Sequence, residues 1–68
     1  MIGMKPIAKF ESVDTKGLFF FVDQIPQTSS YVVMMQNEGF PATEADDDWY
    51  VNKTNAVETA KVYAGITG

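Results

Sequence analysis

Leu18-Phe19-Phe20-Phe21-Val22 is the stretch on which the fold turns. Five apolar residues in a row, rich in aromatic and β-branched side chains and bounded by turn signals, are too short for a buried helix. They predict a strand with apolar side chains on both faces. Asp23, Gln24 and Ile25 continue it, and Pro26 ends it because proline has no amide to give to the ladder.

Working back from this run, Asp14-Thr15-Lys16-Gly17 carries turn chemistry. An Asp side chain accepts a backbone hydrogen bond at the start of a type I turn, and Gly tolerates a positive φ at its end. That combination joins two hairpin strands. The preceding strand is expected between Ile7 and Val13, with Ile7, Ala8, Phe10 and Val13 partly buried. Residues 1–5 are expected to be a loosely ordered N-terminal segment.

Working forward, Gln27 to Ser30 is a polar loop and Tyr31 to Gln36 a third strand, again apolar on both sides. Asn37-Glu38-Gly39 supplies the next turn, and Phe40-Pro41 interrupts any strand that continues. Pro41 could open a short helix with Glu44 in its first turn, but Asp46, Asp47 and Asp48 would then sit at its negative C-terminal end, so Ala42 to Asp48 is expected to be a solvated loop with at most one helical turn. Trp49-Tyr50-Val51 then predicts a short fourth strand. Asn55 with Glu58 three residues later has the form of a capping box, followed by Ala56, Val57, Ala60, Tyr63 and Ala64 at helical spacing. Glu58 and Lys61 can pair on its outer side. Gly65 suits the left-handed position that closes a helix, and Ile66 can fold back over the last turn. The expected helix has about ten residues, or ~15 Å.

The resulting fold class is α+β. A small antiparallel three- to four-stranded meander, β-β-β-(β)-α, carries one C-terminal helix packed on one face. Sixty-eight residues form a single domain, 1–68, near the lower limit for a self-sufficient core. Such chains commonly add a disulfide, a metal or a partner subunit. With no cysteine and no histidine, the first is excluded and the usual zinc sites with it. Dense packing and self-association remain.

The net charge is −4, with five lysines, no arginine and no basic run. Non-specific nucleic-acid affinity comes from Lys and Arg neutralising phosphates, so a nucleic-acid partner is not expected, and an anionic membrane surface is disfavoured on the same ground. No apolar stretch approaches the ~18 residues of a spanning helix. A cytoplasmic address is the default expectation.

For chemistry, a Ser or Thr nucleophile needs a base, and without histidine the candidates reduce to Lys53, Lys61 or a carboxylate. Ser29 and Ser30 fit turn chemistry better, so no catalytic residue, cofactor or metal is assigned. The dense charge cluster is Glu44, Asp46, Asp47 and Asp48. Contiguous carboxylates without the alternating ligands and central Gly of a calcium loop suit a solvated run better than a metal site. The same four residues could instead anchor a basic protein, as an acidic inhibitor of phage type would.

Side-chain parity raises a covering problem. Leu18, Phe20 and Val22 point to one side of the second strand, and Phe19, Phe21 and Ile25 to the other. In the third strand Tyr31, Val33 and Met35 oppose Val32 and Met34. A single Ala-rich helix covers one face, which is expected to be the Leu18, Phe20, Val22 face under Val57, Ala60 and Tyr63. Phe19, Phe21, Val32 and Met34 are then left as the candidate interface. Burying about 400 Å² of such surface favours the covered state by ~10 kcal/mol before association costs. Either residues 40–48 and Trp49 fold across this face, or a second copy covers it. The polar character of 40–48 favours a homodimer. The expected function is a small non-enzymatic interaction or accessory module, with the acidic modulator of a basic partner as the alternative.

Overall fold

Four consecutive strands form one antiparallel sheet in the order β1-β2-β3-β4, and a single helix lies on one of its faces. The structure, a computed structural model, describes residues 6–66, so the segment 1–5 lies outside the described residues. The strands are β1 (Ala8–Glu11), β2 (Leu18–Gln24), β3 (Tyr31–Asn37) and β4 (Thr43–Tyr50), followed by α1 (Lys53–Ala64). This is the α+β meander that the apolar run and its turn signals predict.

Each connection follows from local chemistry. At the β1–β2 turn Gly17 takes φ 85°, a left-handed conformation that favours glycine. The amides of Asp14 and Thr15 donate to Ser12 Oγ, 3.2 Å each, and Gly17 N donates to Glu11 Oε2 at 3.0 Å, so Ser12 and Glu11 rather than Asp14 supply the side-chain acceptors of this turn. Between β2 and β3, Pro26 and Gln27 form the corner of a turn closed by Thr28 N donating to Ile25 O at 3.2 Å. Gln27 sits at φ 64° there, where a residue with a Cβ is strained.

The stretch expected to be a loop is a strand. Thr43 to Tyr50 pairs with β3 through Met35↔Thr43 and Met34↔Glu44, and again through Val32↔Trp49 and Tyr31↔Tyr50. Between these pairs Ala45, Asp46, Asp47 and Asp48 all oppose Val33, so the strand carries a bulge. A polar sequence can form this strand because β4 is an edge, paired on one side only, and charged residues and bulges are common there. Val51, expected as the end of the strand, falls beyond it at a bend.

Helix α1 starts a turn earlier than the capping-box pattern implies. Asn52, not Asn55, is the cap, and its Oδ1 accepts from Thr54 N at 2.8 Å and Asn55 N at 3.3 Å. Asn55 lies inside the first turn, where its carbonyl accepts from the Thr59 hydroxyl. The C-terminal end matches expectation. Gly65 is left-handed at φ 83°, and the amides of Gly65 and Ile66 donate to Val62 O and Lys61 O. This end is pinned to the first hairpin by Val13 N donating to Ala64 O at 2.9 Å. A Cβ on Gly65 would stand 2.7 Å from Val13 Cγ2, so closeness as well as φ demands glycine. Glu58 and Lys61 form the expected ion pair at 3.7 Å.

The core lies between α1 and the inner face of the sheet. Phe20, Val22 and Val33 pack against Ala56, Ala60 and Ala64, with Leu18, Tyr31, Met35, Tyr50 and Val57 at the margin. The three alanines form a continuous strip at i, i+4, i+8, which lets the helix approach the large rings beneath it. Tyr63 stacks on Phe20, with ring centroids 5.6 Å apart and planes 18° from parallel. The helix therefore covers the Leu18, Phe20, Val22 face.

Candidate interaction face and the carboxylate seam

Register places the remaining side chains. On the outer face, opposite the helix, the central row across the sheet reads Lys9, Phe21, Met34, Glu44. One row along, Glu11, Phe19 and Gln36 lie side by side. On the other side of the central row come Asp23, Val32 and Trp49. Ile7 precedes β1 at a bend, and its amide donates to Val22 O at 2.8 Å. All four candidate interface residues, Phe19, Phe21, Val32 and Met34, thus share one face.

Phe21 and Val32 are 8% exposed, while Phe19 and Met34 are half-buried, so the face is less bare than parity alone implies. Its exposed apolar weight lies in Trp49, 60% exposed. Residues 40–48 do not fold over this face as a lid. They form the β3–β4 turn and the edge strand itself, and Phe40 stands exposed. Trp49 falls in the fourth strand as its sequence implies, but its position opposite Val32 depends on the bulge and has no signal in residue spacing. Lys9 joins the face through the β1–β2 register, with its ammonium over the Phe19 ring at 4.7 Å from the centroid.

Asp23 is a further member that composition does not reveal. It occupies a central strand of the outer face, and its Oδ1 is sealed from water with no hydrogen-bond partner among the described residues. Burial pushes its carboxyl above the ordinary carboxylate range.

The four acidic residues differ in their surroundings. Glu44 points to the outer face opposite Met34. Asp46 turns toward the helix side, where its Oδ2 accepts from Tyr50 Oη at 2.8 Å and Tyr63 Oη at 2.9 Å. Its Oδ1 accepts from Asp48 N at 3.2 Å, which closes the bulge. Asp47 and Asp48 remain exposed. Asp46 is therefore a bracket joining the edge strand to α1, which corrects the picture of a uniformly solvated run. Both tyrosines resist ionisation. Burial, followed by the bond to Asp46, raises Tyr50; the bond to Asp46, followed by burial, raises Tyr63. These shifts keep the hydroxyls protonated as donors, the opposite of what an activated nucleophile requires.

Among the described residues no group of three or more His, Cys, Asp or Glu side chains could hold a metal ion, and no helix is long and apolar enough to cross a membrane. Set against known protein families, curated proteins and solved structures, the chain finds no significant match in any of the three.

Proposed function

We propose that this chain is a small non-enzymatic interaction module that pairs with a second copy of itself through the outer face of its sheet. The observation that carries the proposal is Trp49, a mostly exposed indole in line with Val32 on the face the helix leaves uncovered. Tryptophan in such a position is the side chain most often found at the energetic centre of an interface.

Two features support face pairing over strand addition. The β4 edge bulges and carries Asp47 and Asp48, and the β1 edge has only four residues, among them Lys9 and Glu11. Short, charged and bulged edges resist pairing with another chain. The size of the face limits the strength. Four strands ~4.8 Å apart and about seven residues long give a face of roughly 19 by 23 Å. That is about half of the ~800 Å² per partner of a standard interface, so the pairing is weak and reversible. A cytoplasmic setting is part of the same proposal.

Sedimentation equilibrium between about 10 and about 500 µM tests it. The expected result is a reversible monomer–dimer equilibrium, with Trp49 emission shifting to the blue as the dimer fills. A single species of monomer mass across the whole range overturns the proposal. The alternative role is an acidic modulator of a basic protein, for which Glu44, Asp47 and Asp48 are exposed while Asp46 is held by Tyr50 and Tyr63.

A further inference from the structure

We infer that the two copies pair about a two-fold axis running along the strands, so that Lys9 of each copy faces Glu44 of the other. This inference rests on the self-association proposed above and specifies its geometry.

Two identical sheets packed face to face are related by a two-fold axis lying in the interface plane. Aligned packing keeps the strand directions within about 30°, which leaves two choices. An axis along the strands exchanges β1 with β4 and β2 with β3 while preserving position along each strand. An axis across the strands keeps β1 over β1 and β4 over β4 and reverses position along the strand.

The central row decides between them. It carries a cation at one edge, Lys9, and an anion at the other, Glu44, with Phe21 and Met34 between. Under the strand-parallel axis Lys9 meets Glu44 of the second copy at both edges, and Phe21 meets Met34 in the middle. Trp49, in the Val32 row at the β4 edge, then lies over the β1 edge of the second copy. Under the other axis Lys9 meets Lys9 and Glu44 meets Glu44, and like charges set opposite one another repel. Within the chain, Glu58–Lys61 is the one ion pair among the described residues, so neither Lys9, whose ammonium lies over the Phe19 ring, nor Glu44 has a charged partner.

The test uses Lys9→Glu and Glu44→Lys, each alone and mixed one to one, with sedimentation and circular dichroism on every sample. The expected result is that each variant folds but self-associates about tenfold or more weakly than the wild type, as two ion pairs become two repulsions. Mixing them restores wild-type affinity, because both contacts in the mixed pair are again opposite in charge. If each variant associates as the wild type does and the mixture binds more tightly than either, the axis across the strands is correct and the inference falls. Variants and mixture all matching the wild type overturn it too, while leaving self-association intact. A wild type that stays monomeric overturns the proposed function and this geometry together. Should either reversal unfold the chain, Lys9→Gln replaces it. The strand-parallel axis requires that substitution to weaken the dimer, and the other axis requires it to strengthen it.

Discussion

Phe20 and Phe21 are neighbours in β2, almost equally hidden at 7% and 8% exposure, yet different things hide them. Phe20 lies under a second layer, stacked on Tyr63 and packed with the alanine strip of α1. Phe21 has Lys9 and Met34 directly opposite it on the flanking strands, all within one layer. The contrast teaches that low exposure has two sources in a sheet. Removing a side chain held between layers leaves a cavity, whereas removing one hidden by strand neighbours lets long flexible side chains close over the gap.

The comparison breaks first at Phe20. Phe20→Ala is expected to cost ~3–5 kcal/mol, enough to unfold a domain of this size, and urea titration followed by far-UV circular dichroism reads it directly. Phe21→Gln is expected to leave a folded protein, less stable by about 2 kcal/mol, with self-association lost. An equal cost at both positions would mean that the outer face stabilises the monomer as strongly as the inner one does.

A smaller effect sharpens the inner side. Asp46→Ala removes the acceptor of two tyrosine hydroxyls and should cost about 1 kcal/mol, since the freed Tyr63 hydroxyl can turn to water. Its pH signature is more specific. Tyr50 and Tyr63 have raised pKa values in the fold, so their contribution is complete below the free tyrosine value near 10 and is lost as pH rises through the raised values. Melting curves from about pH 8 to about pH 12 should fall more steeply for the wild type than for Asp46→Ala.

The smallest expected effect is on the outer side and has the opposite sign. Asp23 is harder to ionise in the fold than in the unfolded chain, where its value is near 3.8. Its contribution therefore falls as pH rises from that value through the raised one, and at neutral pH the ionised carboxylate is a burden. Asp23→Asn should be more stable than the wild type at about pH 7, and the difference should close at about pH 3. A destabilised Asp23→Asn at neutral pH would mean that the carboxylate has a donor after all.

Much of this architecture is legible in residue order. The parity of Leu18 to Val22 against Tyr31 to Met35 assigns the two faces, and the alanine spacing at 56, 60 and 64 identifies which helix surface fits over large rings. The edge strand is not legible, because Thr43 to Asp48 needs few apolar residues when it pairs on one side and carries a bulge. Extra residues opposite Val33 also disguise the alternation that would have placed Trp49 and Asp46. The cap is ambiguous for a different reason. Asn52 and Asn55 are both good caps, and the choice falls on Asn52 because the chain leaves β4 only two residues earlier. Of the candidate face, Phe19, Phe21, Val32 and Met34 follow from period two, while Lys9 and Glu44 require strand register that spacing alone does not give.

The bond from Val13 N to Ala64 O gives the molecule a built-in reporter. Val13 lies in an exposed loop of the first hairpin, where an amide would ordinarily exchange with solvent deuterium within moments. Its protection depends on a helix at the far end of the chain remaining docked. Exchange at this single amide therefore measures how often α1 lifts from the sheet without the hairpins coming apart. Amides in the middle of β2 and β3 measure global opening instead. If the two rates differ, helix and meander are separate cooperative units; if they coincide, the whole domain opens and closes as one.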